Sequence, residues 1–185
     1  MASLRHQIAN LVSVPLTMVK LSIMKVFYPK SLRFVGIERF SPNVVVDTDR
    51  RSRLYFGKRI SIHSGSRISV NSGGNLRIND NTSFNVGCIL TCKYKVDIGS
   101  NVSVGPNVMI FDHDHAVRAG ERAKNLFDFD EIVIGDNTWI GAGVIILAGT
   151  HIGKNCVIAA GSVVKGIVSD NTVLIQKREK MLKHV

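Results

Sequence analysis

Four consecutive residues alternate carboxylate and imidazole side chains: Asp112, His113, Asp114 and His115. Histidine titrates near neutral pH, so it can take a proton from a hydroxyl group and later return it to a leaving group. A neighbouring carboxylate can orient the imidazole, and both Asp112 and Asp114 are candidates for that role. The run therefore predicts a general acid–base site.

A six-residue repeat surrounds this run and defines the elements that must position it. The first position is always Ile or Val, the fourth is Asn or Gly in seven of eight copies, and the fifth is Val, Thr, Cys or Ser in seven of eight. Inward aliphatic residues that stack on the next coil, with Asn or Gly at tight corners, predict a three-sided parallel β-helix. Three copies start at Ile98 and five at Ile134: IGSNVS, VGPNVM, IFDHDH, then IGDNTW, IGAGVI, ILAGTH, IGKNCV, IAAGSV.

The copy at residues 110–115 breaks the pattern. His113 replaces the corner Asn or Gly, and Asp114 replaces the small inward residue. An acid at a buried position has no structural use, and a local rule broken without structural gain marks a candidate functional site. The alternative is that the chain leaves the helix here and the run is a solvated loop.

The repeat also predicts the domain organisation. We expect an all-β fold, with the parallel β-helix over residues 54–175 and a projecting, charged loop at residues 116–131, which lack the period. A basic helical or irregular segment occupies residues 1–53. Residues 176–185 form a basic tail, for which we expect a short helix.

Positive charge is concentrated near the N-terminus. The net charge is +10, and residues 1–60 contain eleven Lys and Arg but three acidic residues. Such a surface can attract nucleic acid, an anionic membrane or an acidic substrate. Nucleic acid is not expected, because the chain has no aromatic-interleaved basic stripe and no Cys/His finger spacing. The apolar run at residues 8–28 predicts a helix that packs on the domain or, with residues 1–35, lies on anionic lipid.

The cysteines indicate the compartment. The chain has three cysteines: Cys88, Cys92 and Cys156. An odd number without the spacing of a disulfide framework is typical of a reducing environment. Because no signal-peptide cleavage site is evident, we expect a cytoplasmic protein, peripheral to the inner face of the membrane if the N-terminal segment binds lipid. Cys88 and Cys156 occupy the small fifth position of their hexads and are expected in the core.

The hexads resemble those of the hexapeptide-repeat acyltransferases, whose fold is a left-handed parallel β-helix. The run from Ile134 to Lys165, following Phe111-Asp112-His113-Asp114-His115, is similar to the branch that O-acetylates sugars and some xenobiotics. The resemblance implies transfer of an acetyl group from acetyl-CoA to a sugar hydroxyl of a small-molecule, surface-polysaccharide or lipid-linked acceptor. It also implies a homotrimer with sites between adjacent subunits, and His115, not His113, as the general base.

Further site residues come from the same resemblance. Asn85 aligns with an asparagine that contacts the acceptor, and Asp112 and His113 are assigned to the acceptor side with it. Gly141 and Ala142 align with backbone amides near the thioester, where an N–H can stabilise an oxyanion.

The remaining assignments concern coenzyme A. Trp139 and Ala160 align with positions that line the pantetheine groove, and Lys165 aligns with a basic residue near the nucleotide end. The family's small-residue and proline turn, which helps to hold the adenine, is replaced here by Val173-Leu174-Ile175-Gln176. No metal is expected.

Two other function classes stay open. A zinc hydratase of the carbonic-anhydrase type shares this helix and needs three histidine ligands that are split across a subunit interface. His113, His115 and His151 could supply them, although their spacing differs from that family's. A non-catalytic β-helix scaffold is the second, and absence of coenzyme A binding would favour it.

Overall fold

The structure of the protein is a computed structural model that describes residues 4–118 and 121–177. These residues form one helix, α1 (Leu4–Phe27), followed by 22 short strands. Three parallel sheets form the sides of a solenoid, and a fourth, two-stranded sheet is antiparallel. The predicted parallel β-helix with three sides is therefore confirmed.

The strands follow one another in a fixed rotation among the three sheets. The first sheet contains β1 (Leu32–Phe34), β4 (Arg53–Phe56), β7 (Asn75–Ile78), β10 (Lys95–Ile98), β15 (Ile132–Ile134), β18 (His151–Ile152) and β21 (Ile167–Val168). The second contains β2 (Arg39–Phe40), β5 (Ser61–Ile62), β8 (Ser83–Phe84), β11 (Ser103–Val104), β16 (Trp139–Ile140), β19 (Val157–Ile158) and β22 (Val173–Leu174). The third contains β3 (Val45–Thr48), β6 (Arg67–Val70), β9 (Ile89–Cys92), β12 (Met109–Phe111), β17 (Ile145–Ile146) and β20 (Val163–Val164).

The first position of each hexad points into a continuous apolar column. Ile98 pairs with Ile134 of the next coil, and Ile134 pairs with Ile152 of the one after. Each fully buried side chain of this size contributes about 1.5–3 kcal/mol. All eight first-position residues are at most 3% exposed: Ile98, Val104, Ile110, Ile134, Ile140, Ile146, Ile152 and Ile158.

The corners use the fourth position as predicted. In seven hexads this residue has a φ between 55° and 80°: Asn101, Asn107, Asn137, Gly143, Gly149, Asn155 and Gly161. Asparagine and glycine accept this left-handed conformation more readily than other residues. Asparagine side chains from successive coils also hydrogen-bond to one another, with N–O distances of 3.0–3.2 Å along Asn81, Asn101, Asn137, Asn155 and Asn171.

The solenoid begins earlier in the chain than the predicted boundary at residue 54. Strands β1, β2 and β3, which lie within residues 32–48, pair in parallel with β4, β5 and β6 and form a first coil. The segment at residues 116–131, predicted as a loop, belongs largely to the antiparallel hairpin of β13 (His113–Arg118) and β14 (Glu121–Phe129). The short helix was expected in the tail at residues 176–185; residues 176 and 177 are not helical, and residues 178–185 lie outside the described residues.

Helix α1 packs against the first coil, as one of the two sequence alternatives requires. Leu21 is fully buried and belongs to the same core cluster as Leu32 and Phe40. Thr17 Oγ1 accepts the Phe40 N–H at 2.8 Å, and Lys20 Nζ donates to the Val44 carbonyl. Because α1 contacts both β1 and β2, the helix closes the N-terminal end of the apolar column.

A buried carboxyl group lies in the first coil. Glu38 is fully buried; its Oε2 accepts the Ile60 N–H at 2.6 Å, and its Oε1 has no partner among the described residues. Burial raises the pKa of Glu38 above its ordinary value, and the amides of Ile60 and Gly36 only partly oppose this shift.

This raised pKa predicts a pH-dependent stability. An acid whose pKa rises on folding stabilises the native state below its unfolded pKa, and that contribution is lost as the pH rises through the folded pKa. The melting temperature of Glu38→Gln minus that of the wild type, measured by circular dichroism, should therefore increase from pH 4 to pH 8.

Glu131→Gln is the matched control. The hydrogen bond from Lys95 lowers the pKa of Glu131. The melting temperature of Glu131→Gln minus that of the wild type should therefore decrease from pH 4 to pH 8. The same pH trend in both variants would contradict the burial argument.

Candidate active site

The solenoid pattern ends locally at the Asp-His-Asp-His run. Strand β12 stops at Phe111, and β13 begins at His113 as the first strand of the hairpin. His113 does not have the positive φ of the other fourth-position residues, and Asp114 is exposed. The expectation of a buried acid at position 114 is therefore wrong, because the hexad phase is lost where the chain leaves the coil.

The buried acid is Asp112. Its side chain has no exposed surface, and it accepts hydrogen bonds from the backbone N–H groups of Lys93 and Tyr94 at 2.8–3.1 Å. The Nδ1 atom of His113 lies 3.0 Å from Asp112 Oδ1. Asp112 therefore links the end of β9 to the imidazole of His113 and fixes where the hairpin starts.

The two aspartates have different partners. Asp112 contacts the His113 ring, whereas Asp114 Oδ1 accepts the backbone N–H of His115 at 2.8 Å. Among the described residues, the His115 imidazole makes no hydrogen bond. The choice between Asp112 and Asp114 as the carboxylate that orients the His115 ring therefore stays open, because Asp112 holds the ring of His113 and Asp114 contacts the His115 backbone.

Cys92 lies against the same carboxylate. Burial raises the pKa of the Cys92 thiol, and the negative charge of Asp112 adds to this effect. The thiol is therefore neutral and unreactive at physiological pH. Cys88 and Cys156 are buried at their hexad positions, as predicted.

Phe127 of β14 is the aromatic centre of the site. Its ring centroid lies 4.8 Å from that of His115 and 5.5 Å from that of His113. Lys93 Nζ lies 3.4 Å from the Phe127 centroid, a cation–π contact. Hairpin register places His115 opposite Phe127 and His113 opposite Phe129, so both imidazoles share one face. Sequence reasoning missed Phe127, although the alternation in Leu126-Phe127-Asp128-Phe129 signals a strand.

A cleft of about 330 Å³ opens beside the two imidazoles. The register of β12, β17 and β20 places Phe111, Leu147 and Lys165 in successive coils at one corner, immediately after the third sheet. The Lys165 side chain thus shares the cleft with His115, although the sequence assigned it to the nucleotide end of coenzyme A. The cleft is lined by Phe111, His113, Asp114, His115, Leu147, Ala148 and Lys165.

The other predicted site residues lie at the opposite edge of the third sheet. Asn85 and Gly141 follow β8 and β16, and both belong to one column of stacked corner residues. The Gly141 N–H donates to the Ile158 carbonyl at 2.8 Å and is therefore occupied. The Ala142 N–H has no acceptor within the described part of the chain, and Ala142 is exposed. Of the two predicted oxyanion donors, Ala142 is the one with a free amide.

Close packing explains the small residues at this edge. A Cβ atom on Gly141 would lie 2.6 Å from the Ala160 backbone nitrogen, so only glycine fits between the coils. Ala160 is exposed next to it, and Trp139 is 58% exposed on the outer face of β16, paired with Val157. The result is an open apolar surface beside the free N–H of Ala142.

The three histidines that the zinc hydratase would need do not lie together within one chain. His151 lies in β18, with its Nε2 3.7 Å from Glu131, and it does not line the cleft that contains His113 and His115. Across residues 4–118 and 121–177, no group of three His, Cys, Asp or Glu side chains is arranged to hold a metal ion.

Comparison with known proteins places the repeat in a family. Residues 131–166 match the family model described as bacterial transferase hexapeptide (six repeats). The galactoside O-acetyltransferase of Lactococcus lactis is 43% identical over 76 residues, which cover 41% of this chain and 37% of that enzyme. The galactoside O-acetyltransferase of Escherichia coli is 38% identical over 89 residues, 48% of this chain and 44% of that enzyme.

A solved structure extends the similarity to most of the chain. The maltose O-acetyltransferase from Clostridium difficile is 27% identical, with a TM-score of 0.51, and the match covers 88% of this chain and 86% of that one. The chain spans about half or less of the length of the curated relatives that it matches.

The role of Asp112 leads to a stability prediction. Asp112→Asn weakens the charge-assisted hydrogen bonds that the buried Asp112 carboxylate accepts from the Lys93 and Tyr94 amides, and it should lower the free energy of unfolding by about 1–3 kcal/mol. The exposed Asp114→Asn is the matched control and should change it by less than about 0.5 kcal/mol. Urea denaturation measures both, and equal losses would show that Asp112 does not anchor the hairpin.

Proposed function

We propose that this chain is a hexapeptide-repeat transferase that transfers an acetyl group from acetyl-CoA to a hydroxyl group of a sugar. The observation that carries the proposal is the shared cleft, in which His115 of the hairpin and Lys165 of a later coil converge. The similarity to galactoside and maltose O-acetyltransferases supports the donor and the acceptor class.

His115 acts as the general base in this proposal. Its imidazole takes the proton of the acceptor hydroxyl while the oxygen attacks the thioester carbonyl. The tetrahedral intermediate collapses, the carbon–sulfur bond breaks, and the imidazolium returns the proton to the coenzyme A thiolate. Phe127 packs against the His115 ring and orients it, and the free N–H of Ala142 stabilises the oxyanion.

The two groups of site residues imply a second subunit. Ala142 lies in the turn that precedes β17 (Ile145–Ile146), and Leu147 directly follows that strand, so the two residues lie at opposite ends of one side of the same coil. One copy therefore offers His115 at one edge and Ala142 at the other. We propose a homotrimer of left-handed solenoids in which the histidine edge of one subunit faces the Ala142 edge of its neighbour.

The binding roles follow from this arrangement. Asn85, His113 and Asp112 form the acceptor side, with Asp112 acting through His113. Gly141, Ala142, Ala160 and Trp139 form the open surface along which the pantetheine arm lies. Lys165 is the basic residue for coenzyme A, and its place in the cleft puts its charge near His115. A surface-polysaccharide or lipid-linked saccharide precursor is the proposed acceptor.

Coenzyme A binding is the first test. Titration calorimetry with coenzyme A and acetyl-CoA should show saturable binding to the wild type and none to Ala142→Trp, because the indole fills the proposed groove. Ile167→Trp, a substitution at a residue that is 85% exposed on the first sheet, is the control and should bind normally. Absence of binding to the wild type would favour the scaffold alternative, and one zinc per chain by elemental analysis would favour the hydratase.

The assignment of the base is tested by kinetics. With acetyl-CoA and a chromogenic galactoside, His115→Ala should lower kcat about 10²–10⁴-fold. His113→Ala should mainly raise KM for the acceptor, since His113 is placed on the acceptor side. Near-full turnover in His115→Ala together with loss in His113→Ala would make His113, held by Asp112, the base.

A further inference from the structure

Helix α1 presents an apolar stripe to the outside of the molecule. The stripe has spacings of four, three, four and three residues, which align its members along one face of the helix. Each member is a large aliphatic residue, with an exposed fraction between 50% and 77%: Val12, Leu16, Val19, Ile23 and Val26. Leu11 and Phe27, 77% and 64% exposed, flank it.

The opposite face holds the helix in a fixed orientation. Ser13, Thr17 and Leu21 are buried against the first coil. Thr17 Oγ1 exchanges hydrogen bonds with the backbone of Phe40, and Lys25 Nζ donates to the Leu32 carbonyl. The solenoid therefore occupies one face of α1, and the apolar stripe has no cover among the described residues.

The surroundings of the stripe are positively charged. Residues 1–37 contain no Asp or Glu, whereas Lys30 and Arg33 are exposed just beyond the helix. Lys30 and Arg50 line a cleft of about 350 Å³ that also includes Val26 and Phe27 at the end of the stripe. Apolar side chains and basic groups thus meet at one edge.

This charge favours lipid over a second copy of the helix. Helices that pair through a stripe of this spacing are usually joined by flanking residues of opposite charge. Two copies of α1 would bring only like charges together. An anionic bilayer instead accepts aliphatic side chains at the acyl boundary and basic side chains at the phosphates.

We infer that α1 docks this protein on the surface of an anionic membrane. The stripe from Val12 to Val26 enters the acyl boundary, and Lys30, Arg33 and Arg50 contact lipid phosphates. The attachment is interfacial: within residues 4–118 and 121–177, no helix has the length and apolar composition needed to cross a bilayer.

Docking also sets the distance of the cleft from the membrane. Helix α1 covers the first coil, whereas the residues of the cleft belong to the fourth to sixth coils. Coils repeat every 4.7–4.9 Å, which places the cleft about 15–25 Å from α1 along the solenoid. Resting on the proposed function, this geometry suits an acceptor whose sugar extends several residues outward from a lipid anchor.

Vesicle co-sedimentation of the full chain tests the docking. The wild type should bind vesicles of phosphatidylcholine with phosphatidylglycerol, bind phosphatidylcholine alone weakly, and be released by high salt, which screens the basic groups. Val19→Glu/Ile23→Glu should weaken binding to the anionic vesicles about tenfold or more. Ile167→Glu/Ile175→Glu, which adds the same charge at exposed residues near the other end of the solenoid, should bind as the wild type does.

Several results would overturn the inference. Failure of the wild type to bind anionic vesicles, or equal binding by the stripe variant, would do so. A stripe variant with a lower mass by light scattering but unchanged vesicle binding would show that a second copy covers α1. Circular dichroism shows whether each variant is folded. Coenzyme A calorimetry on the same samples tests the proposed function independently of vesicle binding, so that the two proposals can fail separately.

Discussion

The structure depends on the register between successive coils. Each strand pairs in parallel with a strand one coil along, so every position in a coil continues as a column of equivalent residues. From residue 98 onward, a column continues where its interior residue is aliphatic and its corner residue accepts a left-handed φ. Ile98, Ile134 and Ile152 meet the first condition, and Asn101, Asn137 and Asn155 meet the second. The interior residue and the corner residue of each hexad are therefore constrained together.

This coupling explains which parts of the fold could be predicted from the sequence. From residue 98 onward both conditions are met by the same residue types, so the period is visible. In the early coils the left-handed corners include Arg59 and Ser72, with φ values of 58° and 60°. Such residues carry no sequence signal for this conformation, which weakens the period in the second coil. Between residues 32 and 48 no residue has a left-handed φ, so the first coil lacks the corner signal and falls within the segment predicted as helical or irregular. The hairpin was missed as well, because its alternation is short and lies among charged residues.

The candidate site was only partly predictable for a related reason. The broken hexad identified Asp112, His113 and His115 because local rules fail there. The expectation that Asp114 is the buried acid assumed that the six-residue repeat continues through position 114. The repeat ends where the chain enters β13, so it does not predict burial at that position. Phe127 reaches the imidazoles through hairpin pairing, and Lys93, just after β9, reaches the Phe127 ring; the spacing of these residues along the chain predicts neither contact.

The hairpin leaves and rejoins the solenoid without disturbing it. Ile98 and Ile134 are 36 residues apart in sequence, yet they stack as directly as Ile134 and Ile152 do. The Asp130 N–H donates to the Asp112 carbonyl at 3.1 Å and closes the neck of the insertion. Since a longer or shorter hairpin would alter only the loop-closure entropy, its length and sequence can vary while the coils stay fixed. Lys165 and Ala142 are thus positioned by the coils, His115 and Phe127 by the hairpin. In the proposed function, the hairpin can therefore vary with the acceptor while the donor surface on the coils is preserved.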